Sequence, residues 1–441
     1  MTPEASLTRR QFVVAMTGIL IVAAALRLVF PLADPPWQST VGVVWHDEGA
    51  WTHNARNRVL FGVWTMDEWN PMYLAPVFTG LEAVSFGLFR VGLWQARLVS
   101  EVAGWISVLV LGLGVARLAD RATGLIAAAL LATNYVYVTW NRAALMEATM
   151  ISFMVISWYC YVRAERAPLW GLLAGPAALL AFFSKAAAAF YVAALGLDAM
   201  LMLIWSTTDR RRHRAASYTL LGLGAGAAVA AVAFVGPYWT EFRFYNWQMS
   251  VTRKPSYTIK AFVDRASWLP IIHDFFTRMW LTTILAGAAL LGRLRHWRTQ
   301  PAAVRLLMLW IGLGVVELIL HDVGNERRLI FLIPALVTLA ALALGRDRCL
   351  LPPGSADVPV KRALLIAPIL LYTLYVLIGA LVRLAFLYQT RPGVRLAAAL
   401  AVATAALIYL TWPRGPAWLT KSRWSATAAT ALLLVMILGD I

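Results

Sequence analysis

The chain is a succession of apolar runs separated by short links. About 20 consecutive apolar residues suffice to cross the hydrocarbon core of a bilayer. Inside that core every backbone N–H and C=O must pair within the protein, so such runs are forced to be helical. Read this way, the sequence predicts about thirteen spans. They fall near 11–30, 98–116, 123–139, 145–162, 169–183, 186–205, 217–236, 279–292, 302–320, 329–345, 363–382, 396–412 and 425–439. Composition agrees: 61% of the residues are hydrophobic and only 14% charged, whereas soluble domains carry about 25% charged residues. The expected class is an all-α integral membrane protein. The first run is expected to stay as a span rather than act as a cleaved signal, because similar runs continue along the chain.

A net charge of +17 raises the question of nucleic acid, but its distribution excludes it. The cations sit in links such as "DRRRHR" (209–214), "GRLRHWR" (292–298) and "TKSRW" (420–424). Short basic links mark the cytoplasmic side and favour anionic lipid. With the N-terminus inside, links 117–122, 163–168, 206–216, 293–301, 346–362 and 413–424 all fall on that side. Cys160 and Cys349 lie beside such links, in a reducing compartment, so no structural disulfide is expected.

The outer side then holds two long loops, 31–97 and 237–278. Segment 72–91 is apolar enough to span, yet counting it would reverse every later link. It reads instead as a helix lying along the interface. No separate soluble domain or internal repeat is visible.

Charged residues on the outer side gather in four segments. "VVWHDEGAW" carries His46, Asp47 and Glu48, with His53 close behind and Glu68 and Asn70 closing the loop. "WNRAALMEATM" carries Arg142 and Glu147, "FFSKAAAAF" carries Lys185, and "HDVGNERRLIFL" carries His321, Glu326, Arg327 and Arg328. Each has a structural explanation alone, such as a helix cap, an ion pair or a snorkelling lysine. Together they suit transfer of a group from a phosphate leaving group to a hydroxyl. A carboxylate takes the hydroxyl proton, while guanidinium and ammonium groups neutralise the departing phosphate. A polytopic transporter is the alternative, but it would favour repeats and charges near the bilayer midplane.

The order and spacing of these motifs resemble the GT-C membrane glycosyltransferases, closest to the protein O-mannosyltransferases and the lipid A aminoarabinose transferase. The resemblance covers roughly residues 10–345 and rests on "HDEGAW", "GVWTMDEWNPMY", "GLIAAALLATNYVYVTWNRAALMEATM", "FFSKAAAAFYV" and "ERRLIFLIPALVTLAAL". It implies a GT-C fold with a catalytic module over 1–345, interfacial helices in the first outer loop, and further C-terminal spans over 346–441. It implies Asp47 as the catalytic carboxylate, with Glu48 and Glu68 as accompanying acids. Arg142, Lys185, Arg327 and Arg328 resemble the donor's phosphate-binding cations. His46, His53, Asn70, Glu147, His321 and Glu326 are left as acceptor or sugar contacts. The implied partners are a polyprenyl-phosphate sugar and a hydroxyl acceptor, at the outer face of the plasma membrane. No cofactor is required, since Arg and Lys can neutralise a monophosphate; a divalent ion would have only Asp47, Glu147 and His46 as ligands.

Overall fold

The computed structural model describes residues 7–29, 31–32, 46–65, 69–205, 209–252, 278–294, 296–320 and 326–344, and these are all helical or connecting segments. The C-terminal spans expected over 346–441, Glu68 and His321 lie outside them. The helices are α1 (Arg9–Leu28), α2 (His46–Phe61), α3 (Pro76–Phe89), α4 (Leu93–Leu118), α5 (Arg121–Thr133), α6 (Tyr135–Asn141) and α7 (Met146–Ala164). They continue as α8 (Gly171–Ser184), α9 (Ala189–Trp205), α10 (Arg210–Ala230), α11 (Trp239–Arg243), α12 (Trp280–Leu294), α13 (Ala302–Leu320) and α14 (Ile333–Leu344).

Among the described residues, five helical segments are long and apolar enough to cross a membrane: Arg9–Leu28, Leu93–Leu118, Ala186–Trp205, Arg210–Val235 and Ala302–Leu320. The pair α5–α6 would make a sixth, bent by 60°. The break sits at Asn134, whose side chain accepts the Tyr137 N–H at 2.9 Å and so restarts the helix as an N-cap. The apolar run over 123–139 predicts one span. The apolar pattern is indeed continuous there, and only the capping asparagine marks the bend.

The spans pack through small residues where backbones approach closely. A Cβ on Gly175 would run into the backbone of Leu223, and one on Gly222 would lie 2.5 Å from the Leu172 carbonyl. Both glycines therefore set the contact between α8 and α10. Trp158 donates from Nε1 to the Ala303 carbonyl at 3.0 Å and ties α7 to α13 inside the core.

Helix α3 falls in the segment read as interfacial. Its 14 residues reach roughly 21 Å at 1.5 Å per residue, short of the hydrocarbon thickness of about 30 Å. Phe78, Glu82, Ser85 and Phe86 are buried, while Leu81, Val84, Leu88 and Phe89 are exposed.

Candidate active site

Helix α2 begins at the "HDEG" stretch. Asp47 and Glu48 occupy its first turn, where the helix dipole favours negative charge. From there they diverge. Glu48 is buried and takes a two-pronged bond from Arg97: Nε to Oε1 at 2.8 Å and Nη2 to Oε2 at 2.9 Å. Its Oε1 also accepts the Ala144 N–H at 2.8 Å. Arg97 donates in addition to the Pro31 carbonyl at 3.0 Å. Ser100, one turn on in α4, donates to the Leu145 carbonyl at 2.8 Å. Glu48, Arg97 and Ser100 together hold the loop that enters α7.

That loop delivers Glu147 to the first turn of α7, again at the positive end of a helix. Lys185 arrives from the break between α8 and α9. Its backbone is extended (φ −161°, ψ 127°), and its N–H still bonds the Ala181 carbonyl at 3.0 Å. Its Nζ donates to Glu147 Oε1 at 2.6 Å. Arg327 comes from the 3-10 segment Glu326–Leu332 after α13. That segment is fixed by Trp310, whose Nε1 donates to the Phe331 carbonyl at 2.8 Å. It lies so close to α13 that a Cβ on Gly314 would collide with Leu332.

Arg327 then bridges the two acids. Its Nη1 donates to Asp47 Oδ2 at 2.6 Å, and its Nε lies 2.9 Å from Glu147 Oε1. The second contact is an ion pair rather than an aligned hydrogen bond, because Nε finds no acceptor in hydrogen-bond geometry. Burial disfavours the guanidinium charge, but Glu147 and Asp47 outweigh it and hold the group above its ordinary range. Arg327 is a permanent cation here. The result is a chain of four charges, Asp47–Arg327–Glu147–Lys185, from segments that span 280 residues of sequence. Glu147 is sealed at 2% exposure, while Asp47 at 25% and Lys185 at 19% remain reachable from solvent.

The other expected residues divide. Glu48 was read as an acid accompanying Asp47, but its carboxylate is sealed on Arg97 and Ala144 rather than turned to the four-charge chain. Arg142 was expected on the same phosphate as Lys185 and Arg327. Its Nη1 donates to the carbonyls of Leu26 and Val29, at 2.8 and 2.9 Å, at the end of α1. His53 and Asn70 belong to a polar and aromatic layer beside α2. Asn54 donates to Asn70 Oδ1 at 3.2 Å, Asn70 donates to the Tyr245 hydroxyl at 2.9 Å, and His53 Nδ1 lies 3.0 Å from the Ala50 carbonyl. Tyr73 stacks on Tyr245 at 5.6 Å and Trp69 packs edge-on to Trp51 at 5.4 Å. The side chains of His46, Glu326 and Arg328 lie outside the described residues.

Sequence reasoning missed Arg97 and Ser100. The signal was present: "QARLVSE" places an arginine, a serine and Glu101 within an apolar stretch, and ionisable groups in a span mark a functional or organising position. Starting that span at residue 98 had left Arg97 outside it. Of the three ligands expected for a divalent ion, Asp47 and Glu147 are among the described side chains and His46 is not. Among the described residues no three His, Cys, Asp or Glu side chains gather, and Asp47 and Glu147 already face two protein cations.

With this geometry in hand, comparison with known proteins gives a consistent answer. The family model for dolichyl-phosphate-mannose-protein mannosyltransferase matches residues 74–238. ArnT from Cupriavidus metallidurans, solved bound to undecaprenyl phosphate, superposes with a TM-score of 0.59 at 17% identity. The alignment covers 98% of this chain and 76% of ArnT. The apo state of ArnT gives 0.56 with the same identity and coverage. The apo oligosaccharyltransferase of Archaeoglobus fulgidus gives 0.52 at 12% identity, covering 97% of this chain and 56% of that one. No curated protein sequence matches the chain. At such identities the likeness establishes the fold.

Proposed function

The chain is a multi-pass membrane protein with the GT-C fold, and from that premise we propose that it is a glycosyltransferase. It moves a sugar from a polyprenyl-phosphate donor to a hydroxyl acceptor at the outer membrane face. The observation that carries this reading is the chain Asp47–Arg327–Glu147–Lys185, a reachable carboxylate beside two fixed cations. In this reaction the anomeric C–O bond to the donor phosphate breaks and a new C–O bond forms to the acceptor. The acceptor's proton passes to Asp47, and the polyprenyl monophosphate leaves with an added negative charge.

Each residue has a part that follows from its surroundings. Lys185 and Arg327 receive the growing charge on the phosphate, in a partly enclosed site where such contacts are stronger than in water. Glu147 does not react. Sealed and shared by both cations, it holds them at a fixed separation before the donor arrives. A phosphate that draws on Arg327 loosens its bond to Asp47 Oδ2, so the base is released when the donor binds. Glu48 is a positioning residue, one step removed through Arg97 and Ala144. The anomeric centre passes through oxocarbenium character, which the neighbouring carboxylate also favours. Support for a lipid-phosphate donor comes from the fold of ArnT, solved with undecaprenyl phosphate.

The test is transfer of labelled sugar from a polyprenyl-phosphate donor by the purified protein in detergent, with donor binding measured separately. Wild type should transfer and release polyprenyl phosphate in equal amount. Donor binding without transfer to any hydroxyl acceptor would turn the reading toward a transporter.

A further inference from the structure

The end of the bundle opposite the candidate site carries a charged cavity. Helix α7 starts at Glu147's turn and ends at Ala164, roughly 28 Å away at 1.5 Å per residue for 19 residues. At that far end, a cavity of about 80 Å³ opens among Tyr161, Glu165, Trp205, Arg212, Arg298 and Arg305. One buried water needs about 10–15 Å³, so the space is large enough for a group of several heavy atoms.

Its walls are preorganised. Arg305 is buried and pinned: its Nε donates to Asp198 Oδ1 at 2.8 Å, and its Nη1 to the Gln300 carbonyl at 2.8 Å. Tyr161 donates to the other Asp198 oxygen at 2.7 Å. Glu165 is engaged by the Ala303 N–H at 3.0 Å. Trp205, the last residue of α9, carries the guanidinium groups of both Arg298 and Arg305 over its ring, each 5.6 Å from the centroid. Arg298 is exposed and, among the described residues, has that ring as its charge partner. Arg212 pairs with Asp209 at 3.3 Å, both about half exposed, and also acts electrostatically on Glu165. A surface pair of that kind contributes about 0–1 kcal/mol and is easily exchanged for a better anion. Two exchangeable guanidinium groups, Arg212 and Arg298, therefore line the cavity together with Trp205 and the pinned Arg305.

We propose that this cavity binds the phosphate headgroup of an anionic membrane lipid in the leaflet opposite the candidate site. Arginine forks match phosphate oxygens in pairs, which favours phosphate over a point-charge anion. The cavity lies where α7 and α9 end and α10 and α13 begin, at span ends, with a tryptophan at the level typical of the membrane interface. A lipid reaches such a position by lateral diffusion, its acyl chains lying along the exposed apolar faces of α9 and α10, where Ile204 and Leu221 are open. Binding there would clamp four helices together at the end where Arg305 and Asp198 form their buried pair.

The test uses the full chain purified in a neutral detergent and titrated with phosphatidylglycerol, phosphatidylcholine or inorganic phosphate, reading bound lipid by native mass spectrometry and the thermal midpoint. Phosphatidylglycerol should bind and raise the midpoint, and phosphatidylcholine should not. The pair Arg212→Gln with Arg298→Gln should weaken phosphatidylglycerol roughly tenfold or more, each lost contact being charge-assisted. Arg9→Gln with Arg10→Gln, exposed at the start of α1, should leave it unchanged. Arg298→Glu alone, on an exposed side chain, gives a second reading if the double variant fails to fold. Equal phosphatidylglycerol affinity in the Arg212 and Arg298 variants would overturn the proposal. So would equal response to phosphatidylcholine, or inorganic phosphate binding as tightly as the lipid.

Discussion

Asp47 and Glu48 are neighbours in one helical turn, yet they sit in opposite surroundings. Glu48 is closed in a two-pronged pair with Arg97, both essentially unexposed. Asp47 shares one nitrogen of Arg327 and keeps a quarter of its surface open. A sealed pair has little use to chemistry: both partners have given up water, and removing either strands a charge. An open, shared acid can exchange its partner for a substrate. The buried pair Asp198–Arg305 at the other end of the bundle repeats the sealed pattern. The comparison separates charges that hold the helices from charges arranged to be used.

The largest expected effect breaks the sealed side. Arg97→Ala leaves Glu48 buried without its partner and should cost about 3–5 kcal/mol of stability, read as a fall in the thermal midpoint of the detergent-purified protein. Activity should fall with it, since the loop entering α7 loses its anchor. An unchanged midpoint would mean that Glu48 is not sealed in solution.

The open side should behave in the reverse way. Asp47→Asn keeps shape and removes the proposed base, so turnover should drop by about a hundredfold or more while donor binding and the thermal midpoint hold. Near-normal turnover would make Asp47 structural. Glu48→Gln should show the opposite division, with a lower midpoint and a milder loss of turnover.

Lys185→Ala tests the donor side. A lost charge-assisted contact is worth about 1.5–3 kcal/mol, roughly ten- to a hundredfold in donor affinity. Donor titration of the variant measures it, and unchanged affinity would remove Lys185 from the phosphate site.

The smallest effect is expected at Arg142, which donates to two carbonyls at the end of α1. Its half-exposed bonds to two carbonyls should contribute about 1 kcal/mol. Arg142→Ala should therefore lower the midpoint slightly and change donor affinity by less than about threefold. A tenfold loss of donor affinity would restore Arg142 to the phosphate site and show that α1 does not hold it.

Much of this was legible before any coordinates. Periodic apolar runs announce the spans, because the bilayer penalises every unpaired backbone group and leaves the helix as the only local solution. Asp47, Glu147, Lys185 and Arg327 are marked, together with Glu48, Glu68, Arg142 and Arg328, for a related reason: a charge beside hydrocarbon is costly and so needs a partner or a task. What the one-dimensional pattern cannot carry is the pairing itself. Residues 47, 147, 185 and 327 meet because α2, α7, the α8–α9 break and the Glu326–Leu332 turn converge in space. The family resemblance implies Asp47 over Glu48, which spacing alone does not, and the different surroundings of the two acids are set by tertiary structure. Their separate directions from the first turn of α2 send Glu48 toward Arg97 of α4 and Asp47 toward Arg327. Hydropathy and local charge act over a few residues and are written in the sequence. Which carboxylate is sealed and which is left open depends on contacts between segments far apart in the chain, and only the packed bundle decides it.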